Sequence, residues 1–153
     1  MLGAADDDEK ILTFALDRID KVEPLPAKKY KECAEDLNER FENIVGITYY
    51  TGRPITHILF WCSDESMDYV ITKPLHGSQI LYHGEEEKRL RTMYPSLEGG
   101  SFFSIDCIEN FELITLLCSY GKNLVVLEPT KIQDVIFART KKMIEEYNKL
   151  RTI

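Results

Sequence analysis

Residues 101–127 run SFFSIDCIENFELITLLCSYGKNLVVL, and this stretch decides the fold. Ser101 to Ile108 are rich in β-formers, with Phe103, Ile105 and Cys107 on one side of an extended strand. Asn110 suits a helix N-cap, because its side-chain oxygen can accept from an otherwise unpaired N–H of the first turn. Leu113, Leu116, Leu117 and Tyr120 then fall on one helical face, and Gly121 stands where a left-handed C-cap belongs. Leu124-Val125-Val126-Leu127 is a short, wholly apolar run, which predicts a strand in the centre of its sheet.

The reading extends in both directions. After Pro129 a last helix is predicted from about Thr130 to Lys149, with Ile132, Val135, Ile136, Met143, Tyr147 and Leu150 as its apolar stripe. Upstream, Ile55 to Cys62 have high β-propensity and follow a turn at Thr51-Gly52-Arg53-Pro54. Ser63 or Asp64 can cap a short helix through Met67, Tyr69 and Val70 that ends before Pro74. Ser78 to His83 predict another strand, and Gly84 to Arg89, with three consecutive glutamates, a solvated turn or loop. From Ile55 the order is strand, helix, strand, strand, helix, strand, helix. The expected class is α+β, a ferredoxin-like βαββαβ sandwich with a C-terminal helix. One face of its sheet is covered by helices 64–71 and 110–120, and the other needs a cover from the terminal helix, an earlier helix or a second subunit.

Nearer the N-terminus, Ile11 to Arg18 predict a strand closed off by Pro24 and Pro26. Residues 27–42 carry Tyr30, Ala34, Leu37 and Phe41 at helical spacing, and Ile44 to Tyr50 turn to β-formers. Two regions follow: residues 1–26, an acidic leader, strand and linker, and residues 27–153, the α+β domain.

Several function classes lose support. The 153 residues carry a net charge of −7, which opposes wholesale binding to a phosphate backbone. Residues 130–153 are the exception, with six cations against three carboxylates. No stretch approaches the roughly 20 apolar residues that cross a bilayer, and the start of the chain is acidic where a signal peptide is basic; a cytoplasmic protein is expected. Cys33, Cys62, Cys107 and Cys118 form no CxxC unit and read as small hydrophobes. His57, His76 and His83 are too scattered for a metal site, so neither metal nor cofactor is expected.

The compact polar constellation is Lys73, His76, Ser78 and Gln79. Ser78 and His76 lie two residues apart, but nucleophilic catalysis also needs a group orienting the histidine and an oxyanion hole, and no nucleophile elbow is present. Two readings stand: hydrogen bonds that tie the turn after Pro74, or a small polar surface that meets a ligand or another domain. Arg18 reads from the residues alone as a surface charge paired with Asp17 or Asp20. Tyr49, Tyr50, Phe60, Tyr82, Phe102 and Phe103 are candidate stacking platforms, which leaves a stand-alone nucleotide or single-stranded nucleic-acid binding module as the alternative function.

Leu16-Asp17-Arg18-Ile19 with its proline-containing linker resembles the last strand of a WYL domain. Gly46 to Tyr50, Thr72-Lys73-Pro74-Leu75-His76-Gly77-Ser78-Gln79, and Asn110-Phe111-Glu112-Leu113 through Tyr120-Gly121 to Val126-Leu127-Glu128-Pro129 resemble the C-terminal extension of that family. The resemblance spans nearly the whole chain from Thr13 and implies part of a bacterial transcription regulator. Such regulators join an N-terminal winged helix-turn-helix, an Sm-like WYL barrel and this extension. The implied role is non-catalytic: ligand sensing, homodimerisation and modulation of a DNA-binding domain, without direct DNA binding by this chain. By the same resemblance Arg18 belongs to an anion-binding barrel surface. The Trp-Tyr-Leu motif itself is absent, since Trp61 sits in Phe60-Trp61-Cys62. The expectation is therefore either a fragment of a longer protein or a truncated gene product, without the winged helix and most of the barrel.

Overall fold

The computed structural model describes residues 2–4, 11–24, 26–27, 29 and 37–151. The chain divides into two units, Met1–Asn38 and Glu39–Ile153. In the first, β1 (Leu2–Ala4) pairs antiparallel with β2 (Ile11–Thr13), setting Leu2 opposite Thr13 and Ala4 opposite Ile11. The strand predicted to reach Arg18 stops at Thr13, and Leu16–Arg18 form a single 3-10 turn closed by Arg18 N donating to Ala15 O at 3.2 Å. Phe14 and Leu16 stay exposed, so no buried face holds an extended run there. Of the helix predicted over 27–42, Ala27 lies in a turn and Lys29 is not helical, while Leu37–Glu42 form α1. The intervening positions, Cys33 among them, lie outside the described residues.

The second unit is built on a four-stranded antiparallel sheet. Its elements are β3 (Ile55–Cys62), α2 (Asp64–Thr72), β4 (Ile80–Leu81), α3 (Gly84–Met93), β5 (Ser101–Ile108), α4 (Phe111–Ser119), β6 (Leu124–Glu128) and α5 (Thr130–Arg151). The strand order is β4-β5-β3-β6. β3 and β5 pair along their full lengths, from Ile55 opposite Ile108 to Cys62 opposite Ser101. β6, expected in the centre, is an edge strand. Its apolar run is explained by burial of Leu124, Val126 and Leu127, because a bulge between Leu59 and Phe60 shifts its register on β3. Gln133 Nε2 donates to the Val126 and Leu127 carbonyl oxygens at 3.0 and 2.7 Å, occupying acceptors of that edge.

Alternation along the strands makes two cores. On one face Ile58, Phe60, Cys62, Phe103, Ile105 and Cys107 pack with Val70 of α2, Leu113 and Leu117 of α4, and Ile132 of α5. On the other, Leu59, Trp61, Phe102 and Leu127 pack under Leu90 of α3, with Tyr82, Tyr94 and Leu97 around them. The cover for this second face is thus α3, the segment expected to be a loop. Its glutamates work as first-turn residues, where Glu85, Glu86 and Glu87 complement the positive end of the helix dipole. Glu85 pairs with Lys88, and Glu87 with Arg91 one turn on.

Residues 44–50 are bends and coil rather than a strand, since their backbone groups bond to side chains of α4. Asn110 caps α4 by accepting from Leu113 N at 2.8 Å, and its Nδ2 donates to the Val45 and Thr48 carbonyl oxygens. Glu112 Oε1 accepts from Thr48 Oγ1 at 2.7 Å, from Thr48 N and from Ile47 N. Burial, including an Oε2 with no partner among the described residues, pushes the Glu112 carboxyl up. The Thr48 hydroxyl and the backbone N–H groups of Glu112, Ile47 and Thr48 outweigh that and hold it below the usual glutamate range. The folded state therefore binds this proton less readily than the unfolded chain. Glu112's contribution should be complete above the unfolded value, about 4.3, and should fade as pH falls through the lower folded value. Urea midpoints measured between neutral and acid pH should drop on this limb, and Glu112→Gln should flatten it.

Candidate functional site

The turn joining α2 to β4 is held by its own polar side chains. Gln79 Oε1 accepts from Leu75 N at 2.9 Å, and Gln79 Nε2 donates to the Val70 carbonyl at 2.9 Å, closing the C-terminal end of α2. His76 Nδ1 lies 2.7 Å from Ser78 Oγ and accepts from Ser78 N at 3.2 Å. Ser78 Oγ in turn donates to Asp106 O at 2.9 Å and accepts from Asp106 N at 2.8 Å. Since Ile80 faces Ser104 in the β4–β5 register, continuing the ladder would set residue 78 opposite Asp106. The Ser78 hydroxyl makes the two bonds that a strand backbone would make there. The strand predicted from Ser78 is accordingly two residues long, Ile80–Leu81.

Of the residues singled out from the sequence, the fold brings His76, Ser78 and Gln79 together. Lys73 follows α2 and keeps its ammonium 5.5 Å above the Tyr69 ring. Arg18 is exposed in the 3-10 turn of the other unit. The Ser78 hydroxyl is engaged on both sides by the Asp106 backbone, and with the His76 contact it ties this turn to β5. Ser78→Ala should cost about 1–3 kcal/mol in a urea titration by leaving two Asp106 backbone groups unpaired. Lys73→Ala should change stability by less than about 0.5 kcal/mol.

Asp106 links this turn to His57, a pairing that spacing in the sequence does not show. His57 and Asp106 are register partners, and His57 Nδ1 lies 2.8 Å from Asp106 Oδ1 with both side chains about half exposed. They share the second face of the sheet with Ser104, whose Oγ accepts from Tyr82 O–H at 3.1 Å. α3 covers the Trp61 and Phe102 end of this face. Beside His57 a shallow groove of about 120 Å³ remains, walled by Tyr82, Glu86, Arg89, Met93 and Glu128 over Leu59 and Leu90. A signal is present in the sequence: His57, Ser104 and Asp106 are polar residues within two largely apolar strands, but their meeting depends on strand pairing.

The groove offers an imidazole, one guanidinium and two carboxylates to a small polar group. The hydrogen bond that His57 makes among the described residues goes to the Asp106 carboxylate. Burial pushes the Cys62 thiol up to about 11 and, with the Asp106 carboxylate adding to it, the Cys107 thiol up to about 12, which leaves both as inert core residues. No group of three potential metal ligands occurs among the described residues, and none of their helices is long and apolar enough to cross a membrane. The chain matches no family model and no curated protein.

Proposed function

We propose that this chain is a non-catalytic regulatory and dimerisation domain of a bacterial WYL-family transcriptional regulator. It relays ligand or assembly state, in the cytoplasm, to a DNA-binding domain outside this chain. The observation that carries the reading is the sheet, an antiparallel β4-β5-β3-β6 order with α2 between β3 and β4 and α4 between β5 and β6. We read it as a ferredoxin-like βαββαβ unit with α3 inserted between its second and third strands, the architecture expected from the order of elements after Ile55. The use of His76, Ser78 and Gln79 to tie a turn fits a domain that works by contact rather than chemistry. The nucleic-acid alternative has less to draw on, because Phe60, Phe102 and Phe103 are fully buried and offer no ring for stacking.

A reporter assay tests the reading. The full chain is fused behind a monomeric winged-helix DNA-binding domain, and repression is measured on an operator with two half-sites. The fusion should repress well beyond the DNA-binding domain alone, since dimerisation makes the second half-site contact intramolecular. Equal repression by the two proteins would refute the proposal.

A further inference from the structure

The two halves of α5 have opposite surroundings. Ile132 is fully buried and Ile136 packs against the first core, whereas every residue from Phe137 to Arg151 is exposed. The exposed part extends for roughly 22 Å at 1.5 Å per residue. A helix of that length is marginal in water without packing. The apolar stripe nevertheless continues: at 100° per residue, Met143, Tyr147 and Leu150 lie on the same face as Ile132 and Ile136, and all three are more than half exposed. Ile136, Thr140, Met143, Tyr147 and Leu150 alternate spacings of four and three, the seam of a coiled coil.

Resting on the assembly reading above, we infer that a second copy of this chain covers this arm as an antiparallel, two-fold symmetric helix pair. Charge selects the occupant and the register. With Ile136 opposite Tyr147 of the other copy and Thr140 opposite Met143, one flank brings Arg139 to Glu146, and the other brings the exposed Phe137 to the exposed Ile144. Two-fold symmetry makes each contact occur twice. Sliding by one heptad would instead set Glu146 against Glu146, and a parallel pair would place Arg139 beside Ile144 with no charge partner. The present contacts of the two charges are exposed ones: Arg139 Nη1 to Thr115 Oγ1 at 3.1 Å with its guanidinium 5.3 Å over the exposed Phe111 ring, and Lys149 to Glu146 at 2.7 Å. Such contacts are readily exchanged.

Charge reversal tests the arrangement, with dimer dissociation of the full chain followed by light scattering across concentration and helix content checked by circular dichroism. Arg139→Glu and Glu146→Arg should each weaken the dimer roughly ten-fold or more, as two attractive contacts become repulsive. The double variant R139E/E146R should return to within about three-fold of the unsubstituted chain, because the pair is restored with its signs exchanged. A dimer that ignores all three variants would overturn the antiparallel seam and leave the assembly reading standing. A strictly monomeric unsubstituted chain would overturn both.

Discussion

Phe103→Ala should destabilise the second unit by about 3–5 kcal/mol in a urea or thermal titration, the range for removing a fully buried aromatic ring. Phe103 has no exposed surface, lies in the middle of the β3–β5 ladder, and faces its register partner Phe60 with ring centroids 5.4 Å apart and planes 11° from parallel. The stacking contributes beyond the area buried, so a double-mutant cycle with Phe60→Ala should show about 0.5–1.5 kcal/mol of coupling. Domains of this size have total stabilities of about 5–15 kcal/mol. The single substitution should therefore remove a large share of the folded population near physiological temperature. A loss under about 1 kcal/mol would mean that the two cores do not hold the sheet as described.

Gly100→Ala should cost about 3 kcal/mol or more, for a different reason. Gly100 has φ +58°, which disfavours any residue with a Cβ by about 1–2 kcal/mol. An added Cβ would also sit inside contact distance of the Cys62 carbonyl oxygen and 2.8 Å from the Trp61 ring. The segment cannot easily move aside. Gly100 N donates to Asp64 Oδ1 at 2.9 Å, Arg91 Nη2 donates to Gly100 O at 2.6 Å, and the Gly99 carbonyl accepts from both Trp61 Nε1 and Arg91 Nη1. Gly52→Ala is the matched control: φ is +79° there, but nothing lies within 4 Å of the added atom. Its cost should stay near the backbone penalty of about 1–2 kcal/mol. Comparable losses at the two positions would show that the clash around Gly100 is relieved.

The legible parts of this fold were those whose signal is local and backed by burial. β3 and β5 span the residues their composition predicts, 55–62 and 101–108, because β-formers dominate both runs and most of their side chains are buried. Asn110 caps α4 as expected, since N-cap chemistry is settled within four residues. α3 was not legible. Residues 84–89 contain no apolar side chain, and the helix depends on carboxylates at its start and on one anchor, Leu90. Segment 44–50 has the composition of a strand, but Asn110 and Glu112, more than 60 residues away, take its backbone bonds. The stripe of α5 does mark a helical face, yet Val135, Met143, Tyr147 and Leu150 are exposed. Periodicity shows that a face is apolar and does not show what covers it.

The candidate site was legible to a similar degree. Local spacing picked out His76, Ser78 and Gln79, which do cluster in one turn. The bond from Ser78 to the backbone of Asp106, and from Asp106 to His57, could not be found that way, because it exists only once β4, β5 and β3 are laid side by side. A strand–turn polar network of this kind holds the second sheet face in shape where α3 leaves it uncovered.

The proposed function stands on one property, that this chain assembles with itself. Its most direct test is the molar mass of the intact chain, measured by light scattering through a dilution series at moderate salt. A self-assembling chain should show twice the chain mass of 17.8 kDa at high concentration, falling to the single-chain mass on dilution. A mass of one chain at every concentration would contradict it.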